Sequence, residues 1–389
     1  MLSISYKKTI LVPGIILLSI IGLITFQRNR PVPSNIVFEI LFFTGSISLF
    51  KYINKYLLIF VGITLLYLAY SLFSAIYLTN TNLFDFIQAY KSFMYIPFLA
   101  LASGKKVFKA NFIKNLFRFL LFCFLIKYII SFIGRFDKRP ILFYENNYEL
   151  IFLLLLFYLN YLFQKKLNFL EFIALFAVIC ISGSRSAILA FLIVFIFISM
   201  RNKKKVVFNS IIIIVILLTS AYVFINRLNN SSLENVDRYK FIMMFIHDTQ
   251  EWPWWKFLTG APRLTPMSDF VSKTLSYYQS LFSYKNNGTC YSVILHSFIL
   301  RILFDHGIIG LLFLIAFIYK SLRISSFSIL DSICFISIIA VTSLSVSALN
   351  NAFVMLGLLI VYASKNYNVK IMHKSYMYNN KYYNFTIQE

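Results

Sequence analysis

Few side chains in this sequence are equipped for chemistry, and they come in short clusters. In "SGSRSA" (182–187) Arg185 sits among Ser182, Gly183, Ser184 and Ser186. Small residues let backbones approach and turn hydroxyls and N–H groups toward one point. With the start of the helix that follows, they make an anion cradle. An arginine near membrane depth usually faces a cavity or a partner, but it can also snorkel to lipid headgroups; the two readings stand level. "LHSFILRILFDHGIIG" (295–310) holds His296, whose imidazole titrates near neutral pH and can take or release a proton. A hydrogen-bonded interfacial histidine is the plainer account of that residue alone. On one continuous helix His296, Leu300, Leu303, Gly307 and Gly310 share a face, and the glycines admit a neighbouring helix. Arg301 and Asp305 lie on another face, one turn apart, and are placed to pair. In "YENNYE" (144–149) Glu145 and Glu149 are candidates for a base or a sugar contact, with helix capping by the asparagines the simpler account. Arg263, in "GAPRLTP", reads first as a loop-surface charge and second as a substrate contact. The sequence contains no D-x-D pair and no H-E-x-x-H, so neither a metal site nor a cofactor is expected.

Lipid must be the solvent of the elements that hold these groups. The 389 residues are 59% hydrophobic and only 13% charged, with mean hydropathy +0.76, whereas a soluble surface needs more charge. At roughly 20 residues per crossing, the chain reads as about 12 transmembrane helices. They fall near 9–26, 36–50, 56–78, 88–103, 112–134, 149–164, 167–183, 186–200, 206–226, 304–319, 327–346 and 349–364. The expected architecture is an all-α polytopic integral membrane protein, with residues 1–389 forming a single domain. The stretch 9–26 lacks a clear small-residue cleavage site and is read as the first span.

A net charge of +23 invites nucleic acid as a partner, but the charges form no single tail or helix face. They sit between spans: Lys7 and Lys8, Lys51 and Lys55, Lys105, Lys106 and Lys109, Lys165 and Lys166, "RNKKK" (201–205), Lys320 with Arg323, and the C-terminal segment. If the spans alternate, all of these share one side. The positive-inside rule makes that side the cytoplasm and puts both termini there. Arg28, Arg30, Arg135 and Arg139 break the pattern mildly. Cys123, Cys180 and Cys334 fall in apolar stretches and read as small hydrophobes, while Cys290 lies near a loop end; no disulfide framework is visible. One gap, 227–290, runs to roughly sixty residues, far beyond an ordinary connection. It is read as an outside loop, too aromatic for disorder. It holds the helical pattern "ENVDRYKFIMMFIHD" and the three tryptophans Trp252, Trp254 and Trp255. Those rings anchor at the membrane interface or, as the second reading, stack on sugars.

Three segments flanking that loop resemble the O-antigen ligase and polymerase superfamily. "LHSFILRILFDHGIIG" fits its H-[N/S/Q]-x9-G-x-x-[G/T/Y] pattern through His296, Ser297, Gly307 and Gly310. "SGSRSA" resembles its S-x-S-R-[G/S/A] helix start. "DRYKFIMMFIHDTQEWPWWKFLTGAPRLTP" resembles its outside-loop pattern, in which an arginine, here Arg238, opens an amphipathic helix before a Pro/Trp turn and a glycine. The likeness covers about 140–320 of the chain, and the N-terminal half matches only as hydrophobic spans.

The resemblance implies a metal-independent, inverting membrane glycosyltransferase of GT-C-like architecture in the bacterial inner membrane. Its donor would be an oligosaccharide on undecaprenyl diphosphate and its active site would be periplasmic. Arg185 and Arg238 would grip the diphosphate, since a guanidinium can contact two phosphate oxygens and stays charged. His296 would orient or deprotonate the acceptor hydroxyl, with Ser184, Ser297 and Arg263 as further substrate contacts. An O-antigen polymerase is favoured over an O-antigen ligase, which would deliver the glycan to lipid A-core. The reason is that "LHSFILRILFDHG" lacks the acidic residue often seen soon after the histidine in ligases. A chain-length regulator and a flippase would be partners. A flippase or transporter of lipid-linked oligosaccharide is the reading from another class; it calls for polar groups at midplane depth, whereas here they cluster at the outer mouth and in one loop.

Overall fold

The computed structural model describes residues 6–26, 32–50, 52–134, 136, 139–201, 212–215, 217–218, 237–262 and 264–364. Among them the regular elements are helices: α1 (Val12–Ile24), α2 (Ser34–Ser48), α3 (Lys55–Phe73), α4 (Leu83–Ala102), α5 (Ala110–Gly134), α6 (Asn146–Gln164), α7 (Phe169–Ser182), α8 (Arg185–Arg201), α9 (Asp237–Thr249), α10 (Trp254–Thr259), α11 (Asp269–Thr274), α12 (Phe298–Ile324), α13 (Ile329–Ser343) and α14 (Ala352–Tyr362). The all-helical expectation holds. Four of the helical stretches, 55–78, 110–134, 146–164 and 298–324, are long and apolar enough to cross a membrane, and five shorter apolar helices accompany them. The expected span 206–226 lies largely outside the described residues, as do Arg263 and the opening of the expected loop 227–290.

Apolar side chains lie on both the inside and the outside of the bundle. Leu150 through Leu159 of α6 are buried on every face, as is the whole of α14. A helix that is apolar all round belongs in a core or in lipid. By contrast α3 leaves Leu58, Ile59, Leu65 and Leu66 more than half exposed, which suits a hydrocarbon solvent and no other. This bundle of apolar helices suits a multi-pass membrane protein.

Hydrogen bonds define the two ends of the bundle. At one end the Gly104 N–H donates to the Tyr362 carbonyl and to Ser325 Oγ, Lys105 Nζ reaches the Tyr52 carbonyl, and Arg201 is ion-paired with Asp331. Described members of the basic gaps collect at this end. At the other end Asn146 Nδ2 donates to the Ser182 carbonyl (3.2 Å), Ser297 Oγ to the Ser343 carbonyl (3.2 Å), and the Ser92 N–H to Asn350 Oδ1 (3.0 Å). The expected spans 327–346 and 349–364 end here in irregular backbone over 344–351, including a 3₁₀ turn at Ala348–Asn350. Such backbone is tolerated at membrane depth where it lines a cavity.

From residue 237 onward, the segment entering α12 has a core of its own, with Phe241, Met244, Met267, Val271, Leu275 and Cys290 buried together. Trp252 turns inward, 5.2 Å from the Phe304 ring, while Trp254 and Trp255 are 75% and 53% exposed. The three tryptophans therefore do not act as one unit.

The straight helix expected through His296 and the glycines is not what forms. A 3₁₀ turn, Ser292–Leu295, ends at His296 in the left-handed region (φ 50°), and α12 starts only after Ser297 caps it. Gly307 then breaks α12 at φ 66°, ψ −171°. His296 thus shares no helical face with Gly307 and Gly310. The close approach at Gly307 is real, but it is made by the end of α10 and the turn after it, and not by a spanning helix. A Cβ on Gly307 would lie 2.2 Å from the Leu258 carbonyl oxygen, and the Ala261 N–H donates to the Phe304 carbonyl that the kink frees (2.7 Å). Gly307→Ala should therefore cost about 1–3 kcal/mol from backbone strain alone. Thermal unfolding of the detergent-purified variant checks this; an unchanged midpoint would mean that α10 docks by some other means.

Candidate active site

The polar end of the bundle is assembled from helix starts. Ser184 precedes α8, and its Oγ accepts the Ala187 N–H (3.3 Å) and donates to Asn147 Oδ1 (2.7 Å). That bond ties the "SGSRSA" turn to the start of α6 and puts Arg185 at the first position of α8. Ser184 is thus committed to the scaffold, and so is Ser297, whose Oγ caps α12 and holds the end of α13. Asn146 and Asn147 do not cap α6. Glu149 does the local work: its carboxylate accepts the N–H groups of Leu142, Phe143 and Tyr144 at 2.8, 2.9 and 2.6 Å. The loop before α6 is thereby pinned, and Glu145 is left at the helix entrance.

This scaffold gathers guanidinium groups. Arg185, Arg238 at the start of α9, and Arg139 in the loop before α6 feel one another's fields. Burial, then Arg185 and Arg139, push the Arg238 guanidinium below its ordinary range, opposed by Asp237 and Glu145. Burial holds the Glu145 carboxyl above its ordinary value, while its hydrogen bond with Asn147 and the charges of Arg139 and Arg238 pull the other way. Arginines gathered this way suit an anion with several oxygens, since each guanidinium can contact two of them. Arg139 was visible in the sequence only as an exception to the charge rule. Its place here depends on the fold of a loop, which no spacing announces.

Beside this cluster lies a cleft of about 410 Å³ lined by Glu145, Tyr144, Tyr148, Gln88, Arg301, Asn350 and His296, among others. His296 packs its ring against Phe241 (5.4 Å) and Tyr278 (5.7 Å), and its carbonyl accepts Ser347 Oγ (3.1 Å). Burial, then the nearby Arg301, lower its pKa below the ordinary 6.5, with Asp237 opposing. A neutral imidazole at pH 7 can accept a proton. The expected Arg301–Asp305 pair is not formed. Arg301 donates instead to Ser347 Oγ (2.9 Å) and the Gln88 carbonyl (3.0 Å), and Asp305 accepts from Ser292 Oγ (2.5 Å). The reason is that each finds a partner elsewhere, Arg301 on α4 and at Ser347, and Asp305 on the 3₁₀ turn before α12.

Of the expected site residues, the structure brings Arg185 and Arg238 into one electrostatic cluster and places His296 in the adjoining cleft. Arg263 lies outside the described residues. Among the described residues no group of three or more His, Cys, Asp and Glu side chains is arranged to hold a metal ion. The lining from α2 and α4, including Asn35, Glu39, Gln88 and Lys91, was missed in the sequence because only tertiary packing relates it to His296. His306 was missed as well. It is buried beneath the α12 kink, with Nδ1 2.6 Å from the Tyr67 hydroxyl.

Residues 170–315 match the family described as O-antigen ligase. The matched segment includes Arg185, Arg238, His296 and the Gly307 kink, and leaves the cleft lining from α2, α4 and α6 outside it. No curated protein and no solved structure matches the chain.

Proposed function

We propose, from the premise that the chain carries a segment of the O-antigen ligase and polymerase superfamily over 170–315, that it is a polysaccharide repeat-unit polymerase. It takes a growing glycan from undecaprenyl diphosphate and joins it to the next lipid-linked repeat. The observation that carries this reading is a polar cleft lined by both His296 and Glu145, with Glu145 in the fields of Arg139 and Arg238 beside it.

Such a transfer forms a bond from an acceptor hydroxyl oxygen to the anomeric carbon and breaks the bond from that carbon to the phosphate oxygen. Inversion follows if the two events occur on opposite faces in one displacement. The hydroxyl proton passes to His296 Nδ1 or Nε2. The electron pair leaves with undecaprenyl diphosphate, whose growing negative charge meets Arg185, Arg238 and Arg139. Donors already in place where charge develops need no reorganisation, which is the main source of rate in such sites. The tyrosines and side-chain amides of the cleft offer ring faces and hydrogen-bonding partners for sugars. Both substrates arrive with a lipid tail, and the site sits at the bundle end opposite the basic gaps. By the charge rule that end is periplasmic, and a reporter fused after Asp269 should read as periplasmic.

Polymerase is favoured over ligase because the residues just after His296, Ser297 to Leu300, include no acid before Arg301. A deletion strain decides it. Loss of polymerase leaves single repeats on core on a surface-glycan gel. Bare core with full-length chains retained on the lipid carrier would make the protein a ligase and sink the polymerase reading.

A further inference from the structure

The charge of Arg301 is not accounted for by the scaffold. Its side chain is 6% exposed, yet among the described residues it makes no ion pair. Its two hydrogen bonds go to a neutral hydroxyl and a neutral carbonyl, and Nε, also buried, has no acceptor. A guanidinium has five N–H groups, so most of its donor capacity is unspent. Asp305 is close enough to be felt electrostatically but is bonded to Ser292. The other acids of the cleft are occupied. Glu39 is ion-paired with Lys91 and accepts from the Tyr95 hydroxyl (2.7 Å), and Glu145 faces the fields of Arg139 and Arg238. Asp305 is thus a counter-charge at a distance and not in contact, and a buried guanidinium with unspent N–H groups gains from an anion that meets it directly.

We propose that Arg301 makes the floor of the cleft a subsite for an oxyanion carried on the sugar part of the substrate, a uronate carboxylate or a phosphate ester. The proposal rests on the glycan-transfer reading for the identity of its ligand. The surroundings fit a sugar better than a lipid carrier: Tyr144, Tyr148, Asn350 and Asn351 line the same cleft, offering ring faces and amide groups. On the proposed reading the carrier diphosphate meets a separate set of arginines, which does not line the cleft that Arg301 lines. The two terminal nitrogens each spend one N–H, on Ser347 and on the Gln88 carbonyl, and the N–H groups that remain suit a carboxylate or phosphate, whose oxygens a guanidinium can take in pairs. The subsite thus selects a glycan that bears a negative group near the reacting hydroxyl.

Binding to the full-length protein in detergent, followed calorimetrically, tests the proposal without turnover. The probes are methyl glucuronide, glucose 6-phosphate, methyl glucoside and inorganic pyrophosphate. At least one of the two anionic sugars should bind roughly tenfold or more tighter than the neutral glucoside, as expected for hydrogen bonds to a charged group. Arg301→Gln should abolish that preference, Arg301→Lys should keep part of it, and Arg185→Ala should leave it intact. Equal binding of charged and neutral sugars to the wild-type protein overturns the proposal, whether or not Arg301→Gln folds. So does a preference that survives in a folded Arg301→Gln protein. Pyrophosphate as the sole Arg301-dependent ligand would assign the residue to the carrier and also overturn it. Arg301-dependent sugar binding in a protein that transfers nothing would instead refute the reaction and leave the subsite standing.

Discussion

Replacing His296 with alanine is expected to slow glycan transfer by roughly 10²–10⁴, the range for losing a general acid–base group, with donor binding largely kept. The expectation follows from position. The ring is held by Phe241 and Tyr278 at the edge of the cleft, and its backbone is fixed in the left-handed region between a 3₁₀ turn and the cap of α12. Nothing in that arrangement needs an imidazole for packing alone. Glutamine keeps a hydrogen-bonding group but cannot take and return a proton, so His296→Gln should stay close to the alanine variant. Recovery of most activity in the glutamine variant would make His296 an orienting group and not a base. The pH profile gives a second reading. Burial and Arg301 lower the imidazole pKa, and the neutral form is the base. The acid limb of kcat/KM should therefore lie below the ordinary imidazole value of about 6.5, and it should vanish in both variants. Wild-type turnover from purified His296→Ala on lipid-linked substrate would reduce the residue to packing.

Arg238→Ala and Arg185→Ala should each lower turnover by roughly 10²–10³, the cost of removing one donor that meets developing charge. Lysine should restore only part, because an ammonium cannot reproduce a two-oxygen grip. A folding defect is not the expected cause. Arg139, Arg185 and Arg238 lie in one another's fields, so removing one lessens their mutual repulsion, and the thermal midpoint of either alanine variant should match or exceed the wild type. Loss of activity together with a lowered midpoint would point to a scaffolding role. Full activity in both variants at matched expression would remove the diphosphate role altogether.

The sequence made the hydrophobic architecture legible because lipid imposes it: long apolar runs separated by basic gaps have few other uses. Arg185 was legible because Ser184 and the small residues around it mark a helix start, and such marks are local. His296 was read as lying on one continuous helix, and the structure corrects that. A histidine followed by Ser297 in an otherwise apolar run looks like the interior of a helix. Only the capping bonds of Ser297 and the docking of α10 at Gly307 show that the helix begins later and breaks within. The pairing of Arg301 with Asp305 failed because one-turn spacing implies contact only while both side chains remain free to meet, and Ser347, Gln88 and Ser292 take them instead. Arg139, Gln88 and Asn350 carried no local mark, and their places at this end of the bundle come from contacts between distant parts of the chain.

Helix α14 is wholly buried and packs against α2 and α6, while the Tyr362 and Ala363 carbonyls accept the N–H groups of Gly104, Val107 and Phe108. This has a consequence for biosynthesis. The chain leaves the ribosome in order, so α2, with Glu39 and the Tyr6 hydroxyl that donates to the Leu41 carbonyl, enters the bilayer long before the helix that will cover it. Until residue 362 has been made, the middle of the bundle has a helix-sized vacancy, and lipid or another early helix must occupy it. Assembly is therefore a late event gated by the arrival of α14. A ribosome that stalls before α14 leaves a nascent chain already threaded through the membrane but unable to close around its own centre, and such a chain is a natural substrate for membrane quality-control proteolysis.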